Sequence, residues 1–328
     1  MTSLLLSTPT IILTKLGCTA VLAARLTIAI GAGLLAATFF YLCRWVTRRA
    51  VDALVYTALL MSSASFLCFA TVFELYVWGA FSILAALVSA TVGDRYKGVA
   101  LVIGSAISLS FTVTNWMAGL AAAYLSVPMR RAALYSAFAF AAVAALTAVQ
   151  SNLYPTSGKF LFLGEEQRYT KIDFREKLQA APTAFFLDPI ILPGVVIKIS
   201  EKGKTILTAE RPDGKTSPIV IAASLIWLCL AGAGALGAWS TQGPPRQMAT
   251  LVTGLTAGQL FLHLFYGDGG FFLYSLHFAP LLILLASFSS ATKWRVPCLA
   301  GAALLVGLAG WNNLAGIALA IGLLPDPQ

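Results

Sequence analysis

Ten apolar runs constrain the fold of this chain more than any other feature of its sequence. They lie near residues 18–43, 53–70, 75–92, 98–112, 115–128, 131–151, 217–239, 248–265, 271–290 and 296–322. Only 11% of the residues are charged, whereas soluble domains carry about 25%. A helical crossing of a bilayer needs about 20 predominantly apolar residues. The sequence therefore predicts an all-α polytopic integral membrane protein with about eight to ten transmembrane helices.

Four of these runs are short for a complete crossing, and they leave the number of spans open. The two runs within 53–92, and the two within 98–128, each fit either two spans or one helical hairpin that barely reaches the far interface. Residues 4–16 are too short to span, and we expect Pro9 to interrupt a helix there. We interpret 4–16 as a short interfacial or re-entrant piece.

The positive charge is distributed as small clusters between the apolar runs. The clusters are RWVTRR at 44–49, DRYK at 94–97, MRR at 129–131, Arg246 and KWR at 293–295. Cytoplasmic loops carry such an excess of Lys and Arg, whereas a nucleic-acid surface would present one contiguous basic stripe. We therefore expect no nucleic-acid partner. Ten crossings place every cluster on the cytoplasmic side of a bacterial inner (plasma) membrane if the N-terminus lies outside.

One hydrophilic segment, 152–216, separates an N-terminal membrane bundle, 1–151, from a C-terminal bundle of four helices, 217–328. The segment contains ten Lys or Arg and eight Asp or Glu. The flanking runs predict that it lies outside, in the periplasm. Long segments translocate largely regardless of their own charge, so its lysines are compatible with this topology.

The 152–216 segment carries secondary-structure signals of its own. TKID at 170–173 resembles a capping box and predicts a short helix over 171–180. The sequence GVVIKISEKGKTILTAE at 194–210 predicts two strands joined by a turn that contains Gly203. We therefore expect a small α+β extracytoplasmic insertion, packed on the outer face of the membrane.

Polar residues within or beside the apolar runs gather, by this topology, toward the outer half of the membrane. They are Arg25, Glu74, Asn115, His263, Asp268 and His277, with Tyr274 one helical turn before His277. Charged groups inside a bilayer are costly, so their shared side predicts one outward-facing polar cavity for a phosphate- or sugar-bearing lipid. Arg25 has a planar donor fork suited to phosphate. Glu74 or Asp268 offers oxygen atoms to sugar hydroxyls or to a divalent cation.

Each of these residues also has a purely structural interpretation. Arg25 fits a side chain that snorkels to the interface, and Glu74 fits a solvated loop carboxylate. Asp268 and its flanking glycines fit a tight turn. His277 fits a hydrogen-bonded core histidine, and Tyr274 fits an interfacial aromatic belt. The residue types alone leave both interpretations open.

Several stretches of the chain together resemble one family. Residues 24–87 contain a small-residue-rich helix, an Arg-rich turn, a Ser-rich run and the Glu-x-Tyr motif of Glu74 and Tyr76. TVTN at 112–115 and FLYSLHFAPLLILL at 272–285 follow later in the chain. In these features the chain resembles the GT-C superfamily of membrane glycosyltransferases. The resemblance implies transfer of a sugar from a polyprenyl-phosphate donor to an acceptor on the outer face.

This resemblance, combined with the outer polar residues, gives a predicted site. The expected catalytic residues are Glu74, Asp268 and His277, and the expected substrate-binding residues are Arg25, Asn115, His263 and Tyr274. The expected ligand is a membrane lipid, a polyprenyl-phosphate sugar, and a divalent cation is compatible with the carboxylates.

The chain departs from the family pattern at its start. GT-C members resemble one another most in a first outer loop, where an acidic residue acts as base or metal ligand. Residues 1–23 contain no Asp or Glu, so nothing there can accept a proton in general base catalysis. The chain then fits a shortened relative, one half of a pair, or a non-catalytic subunit or scaffold of a membrane protein complex. Stretches such as AGAGALGAW at 231–239 allow the close helix contacts that a protein partner would need.

Overall fold

All ten predicted apolar runs form helices. The computed structural model describes residues 2–72, 74–156, 174–199, 205–208, 216–266 and 271–323. The helices are α1 (Thr2–Lys15), α2 (Ala20–Thr47), α3 (Ala50–Ser62), α4 (Ala64–Phe69), α5 (Tyr76–Thr91), α6 (Lys97–Phe111), α7 (Trp116–Ser126), α8 (Met129–Leu153), α9 (Phe174–Ala184), α10 (Pro218–Ser240), α11 (Pro244–Phe265), α12 (Ser275–Ser287) and α13 (Arg295–Leu323). The other elements are the strands β1 (Val196–Ile199) and β2 (Thr205–Thr208), and 3-10 turns at Phe271–Tyr274 and Phe288–Ala291.

The helix lengths divide the bundle into two classes. Six stretches are long and apolar enough to cross a membrane: α2, α8, α10, α11, α13 and the stretch Phe272–Ala291 that contains α12. Five apolar helices of 10–17 residues, in α1, α3, α5, α6 and α7, accompany them among the described residues. The predicted all-α polytopic membrane fold is confirmed. Apart from α1, the shorter helices arise from the runs that the sequence marks as short.

The first helix differs from its prediction. α1 continues through Pro9, so the expectation that this proline interrupts the helix is wrong. Unpaired backbone groups cost more in an apolar environment than in water, which favours a continuous helix around a proline. Thr10 Oγ1 bonds Thr27 Oγ1 of α2 at 3.1 Å, and the backbone N–H of Leu4 donates to Oε1 of Gln150 at 3.1 Å. These bonds attach α1 to α2 and to the C-terminal part of α8.

α12 is the central helix of the bundle. Twelve of its 13 residues are buried, so its polar side chains face protein and not lipid. Glycines let α10 approach it closely, because a methyl group at Gly234 would overlap the backbone of Ala286. Gly237 lies equally close to the backbone carbonyl of Phe288. Small residues at such crossings allow the tight van der Waals packing that holds membrane helices together.

One ion pair joins α3 to α13 at the end of the bundle that carries the basic clusters. The side chain of Asp52 is completely buried, and that of Arg295 is 25% exposed. Arg295 donates to the carboxylate from Nε at 2.9 Å and from Nη2 at 2.6 Å. This bidentate geometry is the strongest form of an Arg–carboxylate contact.

The second apolar run is broken between α3 and α4, and another part of the chain fills the break. Ser63 has an extended backbone (ψ 150°) and caps α4, accepting from the backbone N–H of Phe66. The free N–H groups of Ala64 and Ser65 donate to the carbonyls of Ile190 and Pro189, at 3.1 and 3.0 Å. The break is therefore satisfied by residues far away in the sequence.

Those residues belong to the segment 185–192, which we call the inserted segment. It enters the bundle beside α4, α10 and α13, and Phe185 and Ile190 are fully buried. Trp227 of α10 donates from Nε1 to the carbonyl of Phe186 at 2.6 Å. Irregular backbone at membrane depth is tolerated only where protein satisfies its polar groups, and these contacts supply that satisfaction.

Two asparagines of α13 complete the contacts of the inserted segment. Asn313, fully buried, accepts from the N–H of Leu192 at 2.7 Å and donates to the carbonyls of Ile190 and Ser62 at 2.8 and 2.9 Å. Asn312 donates to the carbonyl of Leu192 at 2.9 Å. The WNN motif at 311–313 predicts interhelical hydrogen bonds, and the bond from α13 to α3 confirms that prediction.

The prediction of a separate α+β module at 152–216 is not supported. A helix and an antiparallel hairpin are present, with Val196 opposite Thr208, and α9 covers part of the predicted 171–180. However, α9 packs on α11 and on the 3-10 turn before α12. The apolar part of the segment enters the membrane bundle because its Phe, Ile and Leu side chains gain more by burial there. The capping box at 170–173 lies outside the described residues.

Candidate functional site

Four rings from α5, α11 and the start of α12 meet at one end of the bundle. This aromatic–histidine cluster consists of Tyr76, His263, Tyr274 and His277. The rings of His263 and Tyr274 are nearly parallel, with centroids 4.7 Å apart. Tyr76 lies 6.2 Å from Tyr274 and 6.0 Å from His277. Three of these four residues are in the predicted site, and the structure brings them together.

Asn115 joins the cluster through α5. Its Nδ2 donates to the carbonyl of Gly79 at 3.0 Å and to Oγ of Ser82 at 3.2 Å, and the side chain is fully buried. The ring of His277 lies against the Cα of Gly79, where a methyl group would be 2.5 Å from Nε2. Gly79 is therefore required for close packing, and it connects the predicted residues Asn115 and His277.

Several buried polar atoms at this end have no hydrogen-bond partner among the described residues. They are Nε1 of Trp78, Oδ1 of Asn115, Oε1 of Gln259 and both ring nitrogens of His263. Gln259 and His263 are four residues apart and share one face of α11. The neighbouring Gly258 faces Met117 Sδ at the start of α7, so this level of α11 is also the level of Asn115. Sequence reasoning missed Gln259, although a glutamine one turn from a histidine within an apolar run is a signal.

Replacing Gln259 by leucine should raise the unfolding temperature of the purified protein. A buried amide oxygen without a partner costs about 1–3 kcal/mol, and leucine has no such group. The matched control is Gln150→Leu, because Gln150 is also buried but accepts from the backbone of Leu4. That variant should lose stability. Thermal unfolding in detergent measures both, and a lower unfolding temperature for Gln259→Leu than for the wild type would contradict the prediction.

Glu74 lies outside the cluster, at an apolar groove. The groove has a volume of about 290 Å³ and is lined by Leu6, Ser7, Thr10, Ile11, Ala24, Thr27, Ile28, Glu74 and Leu75. Glu74 is the only charged residue in this lining, and it is exposed. Arg25 is exposed on α2, directly after the groove residue Ala24, and does not line the groove. Glu74 and Arg25 are thus exposed, whereas the two histidines of the cluster are buried.

The remaining predicted residue, Asp268, lies outside the described residues, as do Gly267, Gly269 and Gly270. Among the described residues, no three His, Cys, Asp or Glu side chains are grouped as metal ligands would be. A divalent cation at Glu74 or Asp268 therefore stays a prediction.

The inserted segment and α9 form a wall of the cluster that sequence reasoning missed. Phe185 stacks on Phe278 with centroids 4.0 Å apart, and Phe278 lies 5.9 Å from His263. Lys177 of α9 donates from Nζ to the carbonyls of His263 and Tyr266, at 3.0 and 3.1 Å. A cation at a helix C-terminus satisfies its free carbonyls and its dipole. The end of α11 that carries His263 is therefore held by the hydrophilic part of the chain.

No protein family, curated protein or solved structure matches this chain.

Proposed function

We propose that this chain is a GT-C-like membrane glycosyltransferase, which moves a sugar from a polyprenyl-phosphate donor to an acceptor on the outer face of a bacterial inner membrane. The position of Glu74 carries the proposal. Its carboxylate lies at an apolar groove, and two residues later Tyr76 belongs to the aromatic–histidine cluster. A site for a lipid-linked sugar needs an apolar groove next to polar and charged groups, because the apolar chain, the charged phosphate and the hydroxyl groups of this substrate are joined in one molecule.

The groove suits the lipid part of the donor. Apolar side chains of α1 and α2 dominate its lining, and an apolar chain gains free energy by leaving water or by packing there. Arg25 extends from the turn of α2 that also contributes Ala24. Its guanidinium can pair with a phosphate at the groove edge, in the bidentate geometry that Arg favours.

The buried cluster suits the sugar part. Neutral histidine offers one donor and one acceptor, and an amide oxygen accepts up to two hydrogen bonds. Asn115 and His263 carry groups that have no protein partner in the described part of the chain. The rings of Tyr76 and Tyr274 add apolar faces with polar tips. Together these groups, with the ring of His277 beside Tyr76, can orient a sugar by its hydroxyls.

Glu74 then acts as the general base. It accepts the proton of the acceptor hydroxyl while that oxygen bonds to the anomeric carbon of the sugar. The bond from this carbon to the phosphate oxygen breaks, and polyprenyl phosphate leaves with the electron pair. Arg25 stabilises the charge on the leaving phosphate.

The substitution Glu74→Gln tests this role directly. It keeps the size of the side chain and removes its basicity, so transfer should fall by about 10²–10⁴-fold, the usual contribution of a general base. The measurement is transfer of label from polyprenyl-phosphate sugars in membranes that contain the overexpressed protein. Asp94→Asn is the matched control, because Asp94 is an exposed carboxylate at the opposite end of α5, and it should retain full activity.

Transfer at the wild-type rate by Glu74→Gln would exclude Glu74 as the base. If neither the wild type nor any variant transferred sugar, the alternative function, a non-catalytic subunit or scaffold of a membrane complex, would be favoured. In that case the protein should leave its native membrane only together with a stoichiometric protein partner.

A further inference from the structure

A second groove lies between α6 and α8, at the end of the bundle opposite the aromatic–histidine cluster. Its volume is about 480 Å³, and it is lined by Gly98, Val99, Val102, Ile103, Tyr135 and Phe138. Val99, Ile103 and Phe138 are more than half exposed, so the groove opens to the surroundings of the bundle. None of the residues predicted to act on substrate lines it. The proposed function leaves this groove unexplained.

Basic residues stand at one end of this groove. Arg131 lies four residues before Tyr135, which places it on the same face of α8, about 6 Å nearer the helix start at roughly 1.5 Å per residue. Arg130 is its neighbour, and both are exposed. No ion pair of either arginine is found within the described residues. Lys97, next to the groove residue Gly98, adds a further cation and donates to the carbonyl of Ala90 at 3.3 Å.

A tyrosine hydroxyl lies between the basic end and the apolar part. The glycine at position 98 makes room for it, because a methyl group there would be 2.8 Å from the hydroxyl oxygen of Tyr135. No hydrogen bond of this hydroxyl is found among the described residues, so it is available as a donor. Beyond it, the groove continues with Val102, Ile103 and Phe138 and is wholly apolar.

We propose that this groove binds an anionic phospholipid of the surrounding membrane. The order of groups along α8 matches the order of groups in such a lipid. Arg131 meets the phosphate, the Tyr135 hydroxyl meets the glycerol ester, and the apolar groove holds an acyl chain. Basic pockets between membrane helices on the cytoplasmic side recognise anionic head groups in this way. The basic clusters at this end assign it to the cytoplasmic leaflet by the positive-inside rule.

The charge of the site selects the head group. A zwitterionic lipid brings its own cation close to Arg131, whereas a lipid with a single negative charge brings none. Arg also prefers phosphate oxygens because its donor fork matches their geometry. We therefore expect phosphatidylglycerol to bind more tightly than phosphatidylcholine with the same acyl chains, and the difference should weaken as salt screens the charges.

The test compares dioleoyl-phosphatidylglycerol and dioleoyl-phosphatidylcholine, each added to the delipidated full-length protein in detergent. A ligand that binds only the folded state raises the unfolding temperature. Phosphatidylglycerol should raise it more than phosphatidylcholine for the wild type. Arg131→Gln should lose this difference, and so should Val102→Trp, which fills the groove. Lys293→Gln removes a cation at the same end of the bundle but away from the groove, and it should keep the difference.

Four results would overturn the proposal. Equal stabilisation of the wild type by both lipids would exclude selectivity for the anionic head group. An unchanged difference between the two lipids in Arg131→Gln would exclude a role for Arg131 in that selectivity. An unchanged effect in Val102→Trp would show that the lipid binds elsewhere. Tyr135→Phe keeps the test decisive if the tryptophan variant does not fold, because it removes only the hydroxyl and should reduce the phosphatidylglycerol effect. A protein partner that Val102→Trp displaces, without a lipid effect in the wild type, would also overturn the proposal.

Discussion

Replacing Asn313 by leucine should strongly destabilise this protein. The side chain is fully buried and bonds three backbone groups: the N–H of Leu192 and the carbonyls of Ile190 and Ser62. Leucine has a similar size but no polar atom, so the N–H of Leu192 and the carbonyl of Ser62 would lose their partner, whereas the carbonyl of Ile190 would keep its bond from the N–H of Ala64. Each buried backbone group left without a hydrogen bond costs about 1–3 kcal/mol. The loss should therefore reach several kcal/mol.

Water is a poor substitute for the hydrogen bonds that Asn313→Leu removes, because Asn313 lies deep in the bundle. Asn313 lies ten residues before the last helical residue described, which is about 15 Å along α13 at roughly 1.5 Å per residue. In the apolar part of a bilayer, unsatisfied backbone groups cost more than they do at a wet surface. The inserted segment should then leave the bundle, and the contact of Phe185 with Phe278 in the wall of the cluster should be lost with it.

Thermal unfolding and limited proteolysis measure this effect. Two further asparagines provide a graded control. Asn312→Leu removes two bonds, to the carbonyl of Leu192 and to Oδ1 of Asn313, but leaves the three backbone contacts of Asn313 in place, so it should cost less. Asn152→Leu alters an exposed asparagine near the end of α8 and should be close to neutral. Asn313→Leu should also expose the segment 185–192 to protease. Equal stability of all three variants would mean that the inserted segment does not depend on Asn313.

The apolar runs were sufficient to predict the bundle, because a helix that spans a membrane is selected by length and hydropathy alone. All ten runs appear as helices, and the runs with 14–18 residues gave the short ones. The break between α3 and α4 could not be predicted in this way. Ser62 and Ser63 suit a membrane helix as well as a break, and the groups that satisfy the break come from residues 189–190 and 313.

For a related reason, the sequence does not predict that the inserted segment enters the bundle. Residues 183–195, TAFFLDPIILPGV, are apolar except for Asp188 and are too short to span, and charged residues flank them on both sides. The mean hydropathy of this stretch together with its charged neighbours is hydrophilic, so the sequence predicts that 152–216 is one outer module. Only the tertiary contacts with Trp227 and Asn313 distinguish an apolar piece that enters the bundle from one that covers its surface.

The candidate site was predictable in part. Assigning polar residues to one side of the membrane selected Asn115, His263, Tyr274 and His277, and the fold brings these four to one end of the bundle. The same rule could not separate an exposed Glu74 from buried histidines, because topology gives depth but not the direction of a side chain. Gln259 was missed because an uncharged glutamine hardly changes the hydropathy of its run.

Replacing Arg295 should destabilise the protein more than replacing its partner Asp52 does. This ion pair lies at the end of the bundle opposite the aromatic–histidine cluster. Arg295→Met leaves the fully buried carboxylate of Asp52 without the two hydrogen bonds and the positive charge of Arg295, whereas Asp52→Leu leaves a guanidinium that is already 25% exposed. Arginine can turn its charged group toward water along a flexible stem, and a short aspartate inside α3 cannot. We therefore expect a lower unfolding temperature for Arg295→Met than for Asp52→Leu.

The double variant Asp52→Leu with Arg295→Met provides the decisive comparison. Breaking a buried ion pair by removing one partner is strongly destabilising, but replacing both partners by apolar side chains is often neutral or stabilising. The double variant should recover most of the stability that Arg295→Met loses, and a double-mutant cycle of unfolding measurements gives the coupling. Additive losses would show that the two side chains act independently. Recovery would instead mean that the pair adds little net stability, because two apolar side chains hold the same helices together.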